Sequence, residues 1–272
     1  MPMDPTGADM ARLAILPIQV LQAHGLPNAY ERSFKMAGGR LLANRYLLGV
    51  PGERPSRATV ASIARALAMP APLRDQFLDE FEHADRILLG FEAGIEDATL
   101  KLYLEYRPSS HGRDRSDVQA TCGTEGRLLH QGFKWCVGSE ARPRVTFYRE
   151  RCVKSPRELL QHFVHLGLQP TTLAVLKALL QQTSDEQALA AMVLSEVSEN
   201  CTERKGLDLN TYPTLLRVAA IEPALREAAQ GLNIDELALN RLMQLTRPAL
   251  LGHLAAGLDA EGRDYLSVYF EP

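Results

Sequence analysis

YERSFKMAGGRLLANRYLLGV, residues Tyr30–Val50, is the stretch on which the fold turns. Two strand-like runs, Tyr30–Met36 and Arg40–Val50, face each other across Ala37-Gly38-Gly39. Glycine at the tip supplies the positive φ that a tight hairpin needs. Similar pairs follow helical stretches near Arg86–Tyr106, Arg127–Glu150, Leu189–Tyr212 and His253–Phe270. Their spacing of roughly 40 to 65 residues is that of a structural repeat. The repeated order helix, strand, strand is not βαβ and does not predict a parallel sheet. Five equivalent antiparallel hairpins can satisfy their edges by closing into a barrel.

Side-chain alternation says which way such a sheet faces. In Leu100–Tyr106 (LKLYLEY), Leu100, Leu102 and Leu104 share one face, and Lys101, Tyr103 and Glu105 the other. Arg144–Glu150 sets Val145 and Phe147 against Arg144, Thr146 and Tyr148, and Tyr265–Phe270 sets Leu266, Val268 and Phe270 against Tyr265, Ser267 and Tyr269. A sheet with one solvated face alternates in the same way. Helices, however, need an apolar sheet face to pack on. The leucine side therefore points outward, and Lys101, Tyr103, Thr146, Tyr148, Tyr265, Ser267 and Tyr269 line the interior.

The helical stretches are residues 9–24; Ser56–Ala84, broken at Pro70–Pro72 and capped by Ser56 or Thr59; Ser155–Leu166; Thr171–Gln182; Thr214–Ala229; and Asp235–Leu245, capped by Asp235. The chain has 272 residues, 46% hydrophobic and 23% charged, the composition of an ordinary globular protein. No Pro/Ser-rich linker divides it, and Pro108–Gly126 reads as one long loop, so a single domain over 1–272 is expected.

A net charge of −3 argues against a protein whose main business is gripping nucleic-acid backbone. The four cysteines form no CxxC pair and no metal spacing, which reads as reduced thiols. MPMDPTGADM lacks the Lys and Arg of a signal peptide, and the apolar run Leu13–Leu21 is broken by Pro17 and Gln19 and too short to span a bilayer. The expectation is a cytoplasmic protein with no membrane or nucleic-acid partner, monomeric or weakly dimeric. The histidines show no HxxxH or HExxH, there is no DDxxD motif, and the acidic run Leu78–Glu82 reads as a solvated helix face.

Tyr30–Leu48 resembles the first hairpin of the cyanobactin-type peptide prenyltransferases, in which a Glu precedes a short strand, a turn and a basic–Leu–aliphatic–Ala–x–Arg–aromatic–Leu–Leu strand. Similarity continues through Ala93–Tyr106, Gly132–Glu150 and the closing hairpin. The resemblance implies the α+β ABBA fold, ten antiparallel strands in a closed barrel around a solvent-filled lumen with helices outside. It also implies an enzyme, a transferase of alkyl groups other than methyl. That enzyme would move a C5 or longer isoprenyl group from a prenyl diphosphate co-substrate to a side chain of a ribosomal, cyclic peptide. An aromatic small-molecule prenyltransferase, acting on indole or phenol, is the alternative. On the same resemblance, Glu31 is the catalytic acid that positions the acceptor and receives its proton. Arg45 and Lys101 bind the donor's diphosphate. Tyr103 replaces a histidine of some relatives, and Asp208 and Asn210 replace aromatic or basic lumen residues. Relatives in the cyanobactin group use Mg²⁺, so the resemblance allows that ion.

The residue types suit this chemistry. Ionising an allylic diphosphate leaves an allyl cation and a polyanion, and fixed cations aimed at the leaving group ease its departure. Arg45, Lys101, Lys134 and Arg144 are the candidates, Arg as a bidentate ligand and Lys as a point charge. Tyr148, Tyr265 and Tyr269 offer π-faces to the cation and hydroxyls to the diphosphate. Glu31 takes the acceptor's proton. Each has a plainer reading: Glu31 as an exposed strand-end charge, Arg45 as a salt-bridged structural residue, Lys101 as solvent-facing, and the sole tryptophan, Trp135, as core.

Two rivals come from other classes. Arg57–Leu67 (RATVASIARAL) resembles the opening of a helix-turn-helix transcription regulator, but AMPAPLRDQFL then places two prolines where a recognition helix begins. The second is a non-catalytic binding protein on the ABBA fold. The wall positions that limit donor length are Met192 or Val193.

Overall fold

The computed structural model describes residues 7–94, 97–107, 126–137, 142–200, 202 and 204–272. The turns expected around Gly94-Ile95-Glu96-Asp97 and Gly138-Ser139-Glu140 and the loop Pro108–Gly126 lie wholly or partly outside those residues. The strands are β1 (Ala29–Ala37), β2 (Arg40–Gly49), β3 (Arg86–Ala93), β4 (Ala98–Glu105), β5 (Leu128–Cys136), β6 (Arg144–Arg151), β7 (Val193–Glu199), β8 (Lys205–Asn210), β9 (Leu250–Leu258) and β10 (Asp264–Glu271). They form a closed antiparallel barrel in the order β1-β10-β9-β8-β7-β6-β5-β4-β3-β2. In the first hairpin Gly38 (φ 54°) and Gly39 (φ 75°) both take positive φ, the primed turn whose twist matches that of the strands it joins.

The helices are α1 (Gly7–Ala23), α2 (Arg57–Ala66), α3 (Ala71–Phe81), α4 (Pro156–His165), α5 (Pro170–Gln182), α6 (Glu186–Ala191), α7 (Glu222–Gly231) and α8 (Glu236–Thr246). Their starts follow the sequence signals. Ser56 Oγ accepts the Thr59 amide, Ser155 caps α4 ahead of Pro156, and Asp235 Oδ1 accepts the Ala238 amide at 2.7 Å.

The chain folds as two compact units, Met1–Tyr30, Asn44–Arg113 and Leu128–Phe147 making the first, and Glu31–Ala43, Asp114–Arg127 and Tyr148–Pro272 the second. In the first, Val60 and Ile63 of α2 and Phe77 and Phe81 of α3 share a core with Leu89, Leu100, Leu102, Leu104, Phe133 and Val145. Phe77 meets Phe133 edge-on at 5.1 Å, and Trp135 lies in this core with its indole N–H donating to the Leu67 carbonyl at 3.2 Å. The α2–α3 pair thus spends its apolar face on the sheet. In the second unit, Phe163, Leu176, Leu225 and Met243 of the helices pack with Met36, Leu207, Leu209, Leu254, Leu266 and Val268. In both units the leucine face meets helices and the polar face turns away from them. Burial at about 25 cal/mol per Å² of apolar surface fixes that orientation, because a slip by one residue would exchange the faces.

Three expectations need correction. Leu189 lies in α6, whose N-terminus Asp185 caps by accepting the Gln187 amide, so the fourth hairpin starts at Val193. The expected helix Thr214–Ala229 begins only at Glu222, after short 3-10 turns at Tyr212–Thr214 and Val218–Ile221. Leu215 takes φ 54° and Arg217 bridges Leu250, while Pro223 opens the helix proper. Cys152 is disulfide-bonded, against the expected reduced thiols, while Cys136 is free. Among the described residues no helix is long and apolar enough to cross a membrane.

Candidate active site

Strand register in the first unit builds a cationic surface. Leu47 pairs with Gly90, Gly90 with Lys101, and Lys101 with Lys134, making one cross-strand row. The adjacent row on the same face runs Arg45, Glu92, Thr99, Cys136. Three cations and one carboxylate therefore stand on eight neighbouring positions. Lys101, Arg45 and Lys134 are buried, which removes solvent exposure as the reading of Lys101. Glu92 accepts a short hydrogen bond from Lys101 Nζ and lies 3.3 Å from an Arg45 guanidinium nitrogen, so Arg45 is salt-bridged on the polar face. Tyr103 continues this face one row on, its ring against Gly132. Arg144 is close enough to Cys136 to act on its thiol electrostatically.

The second unit gathers the acid. Tyr212 donates its hydroxyl to Glu31 Oε1 at 2.8 Å, and His253 Nδ1 bonds Asp208 Oδ1 at 2.7 Å. The His253 ring meets Tyr212 and Tyr269 edge-on, with centroids at 5.7 and 5.9 Å. Burial holds the Glu31 carboxyl above its ordinary value, with Asp208 and Glu271 adding to the rise and His253 and Tyr212 opposing it. Burial alone would depress His253, but Asp208, by charge and hydrogen bond, and Glu31 outweigh it and lift the imidazole to about 9. His253 is thus an imidazolium at neutral pH.

A third cluster surrounds Tyr265. Lys35 Nζ and the Arg204 guanidinium lie 4.8 and 4.9 Å from its ring centroid, and its hydroxyl sits over Gly206. Arg204 also lies 3.7 Å from the buried carboxylate of Glu199. Tyr148 is a further charge neighbour of Arg204. Ser267 pairs with Lys35 on β1 and with Ala255 on β9, on the face of Tyr265 and Tyr269.

Of the expected residues, Arg45, Lys101, Tyr103, Lys134 and Arg144 belong to the first unit, and Glu31, Tyr148, Tyr265 and Tyr269 to the second. Glu92, Lys35, Arg204, Tyr212 and His253 were not anticipated. Alternation on β1, β3 and β9 could have flagged Lys35, Glu92 and His253; nothing local marks Tyr212, which lies in a turn. Register also separates the two wall candidates. Val193 pairs with Asn210 on the His253 face, whereas Met192 packs against the outer core.

Among the described residues no group of three His, Cys, Asp or Glu side chains is arranged to hold a metal ion. The polar face offers paired cations rather than a carboxylate cage, so it does not fit a protein-built Mg²⁺ site.

No family model matches this chain, and no curated protein does. Solved structures do. The chain is similar to 5-dimethylallyltryptophan synthase from Streptomyces coelicolor, with 13% identity over 89% of this chain and 80% of that one and a TM-score of 0.60. AnaPT from Neosartorya fischeri gives 14% identity over 89% and 78%, with a TM-score of 0.58. The 6-dimethylallyltryptophan synthase from Micromonospora olivasterospora, solved in complex with DMASPP and Trp, gives 14% over 89% and 81%, with a TM-score of 0.54. The fold is the one these prenyltransferases share, the ABBA barrel.

Proposed function

We propose that this chain is a prenyltransferase that moves a C5 isoprenyl group from an allylic diphosphate to a small aromatic acceptor of the indole or phenol class. The observation that carries the reading is the pair of rows bearing Arg45, Lys101 and Lys134, buried on the polar face of a barrel whose similar structures bind prenyl diphosphate analogues. Buried cations at such density suit a ligand with several negative charges. We assign Arg45, Lys101 and Lys134 to the diphosphate, with Arg144 beside them. Tyr148, Tyr265 and Tyr269 screen the allyl cation from water.

As the C–O bond to diphosphate breaks, the acceptor carbon or heteroatom attacks the allyl carbon. Glu31 then takes the proton that the acceptor loses. Any Mg²⁺ would have to be carried by the diphosphate, where it would neutralise charge. All of residues 1–272 serve one functional domain.

The ribosomal-peptide acceptor expected from the first hairpin has no support among the similar structures. Those with a named acceptor hold tryptophan or brevianamide F, which favours the small aromatic alternative. The test is incubation with dimethylallyl diphosphate and panels of indoles, phenols and cyclic peptides, read by mass. A gain of one C5 unit on an indole or phenol is expected. Transfer only to peptides would restore the other acceptor class, and no transfer from any donor, with diphosphate still bound, would leave a binding protein.

A further inference from the structure

The second unit holds more apparatus around Glu31 than a lone proton acceptor requires. Tyr212 hydrogen-bonds Oε1 of Glu31, and among the described residues no hydrogen bond reaches Oε2. Tyr212 is itself tightly fixed. Its amide donates to Asn210 Oδ1 at 3.1 Å. The neighbouring Thr211, fully buried, donates its amide to the Gly252 carbonyl at 2.8 Å and its hydroxyl to the same oxygen at 2.9 Å. Register slips between Tyr269 and Phe270, which pair with His253 and Leu251, so Gly252 is the extra residue of a bulge on β9.

That bulge has a purpose visible in the distances. A Cβ at position 252 would lie 2.6 Å from Glu31 Oε1 and 2.7 Å from the Tyr212 hydroxyl. Glycine is the one residue that leaves room for this bond. Next along the bulged strand stands His253, its Nδ1 held by Asp208 and its Nε2 reached by no hydrogen bond among the described residues.

We propose that Tyr212 and the Asp208–His253 pair are positioning residues for Glu31: Tyr212 fixes one carboxylate oxygen so that only Oε2 meets the acceptor, and the imidazolium held by Asp208 keeps the carboxylate ionised. This rests on the reading of Glu31 as the proton acceptor. A single open oxygen suits an acceptor that surrenders one N–H or O–H hydrogen, and a fixed positive charge offsets the burial that would otherwise protonate the base. The titratable groups facing Glu31 are His253 on β9, Asp208 on β8, Glu271 on β10 and Tyr212 in the turn after β8. His253 is the cation among them.

The test follows the Glu31 carboxyl directly by NMR with ¹³C-labelled glutamate, the resonance being identified by its loss in Glu31→Gln. Tyr212→Phe removes the hydrogen bond, and His253→Gln removes the charge while keeping a polar group for Asp208. Each is expected to move the Glu31 titration upward by about one pH unit. In the mass-read prenyl-transfer assay, the acid limb of kcat should rise by the same amount, while donor Kd stays unchanged. A Glu31 titration unmoved in both variants overturns the proposal, even if their rates fall, because a merely structural role lowers rate without shifting the midpoint. A shift in one variant alone removes the other residue from it. If the titration shifts but wild-type protein transfers no prenyl group, the support of Glu31 stands and the prenyltransferase reading falls.

Discussion

Glu92→Gln isolates the electrostatic core of the proposed donor site. One carboxylate now stands between Arg45 and Lys101. At 3.3 Å and an effective dielectric of about 20, its attraction to Arg45 alone is about 5 kcal/mol before desolvation. The Glu92 side chain is 20% exposed, so solvent screens part of that. Breaking buried pairs costs about 3–5 kcal/mol, and about 2–3 kcal/mol is the expectation for this one. For a chain of this size that lowers Tm by roughly 4–12 °C.

Diphosphate should reverse much of the loss, because it returns negative charge to cations that no longer share a carboxylate. A ligand at 100 times its Kd stabilises by about 2.7 kcal/mol, and a tenfold tighter Kd adds about 1.4 kcal/mol at the same concentration. Thermal melts of both proteins with and without inorganic diphosphate, paired with calorimetric titration, measure this. The Tm gap should narrow as diphosphate is added, and Kd should fall. A variant as stable as the wild type, or one that binds diphosphate more weakly, refutes the view that Glu92 holds a place the donor would fill.

Lys101→Ala and Arg45→Ala should each weaken diphosphate binding by roughly 30-fold or more, about 2 kcal/mol for a lost charge-assisted bond, as calorimetry would read. Glu31→Gln should lower kcat by about 10² to 10⁴-fold with donor Kd unchanged, since it removes a proton acceptor and no donor contact; transfer at the unmodified rate would end its assignment. Folded His253 titrates near 9 against 6.5 for the free residue, so its stabilisation is complete below 6.5 and lost as pH rises through 9. Glu31, also raised, works in the same direction at lower pH. Melts across pH 6 to 10 should show Tm falling through that range by less in His253→Asn than in the wild type.

Much of the barrel was legible because its signals are local. Gly38-Gly39 specified a turn, and Leu100, Leu102 and Leu104 specified an outward face that helices had to cover. Prolines and caps set most helix starts. Where two local signals competed the sequence misled: the Leu189 region has strand-like composition, yet Asp185 caps a short helix there. The stretch 214–229 has helical periodicity, yet the proline at 223 and the left-handed Leu215 delay the helix.

Alternation alone determined that Lys101, Tyr103, Tyr148, Tyr265 and Tyr269 share the face opposite the apolar one, because a strand's side-chain period is two whatever its partners are. What stands beside each of them depends on register between strands far apart in the chain. Only the tertiary structure decided that Lys101 neighbours Lys134 and shares Glu92 with Arg45. It also decided that residue 212 reaches residue 31, and that a one-residue bulge opens the space for that contact. Pairing distances of a few ångströms carry no trace in the letters of either partner.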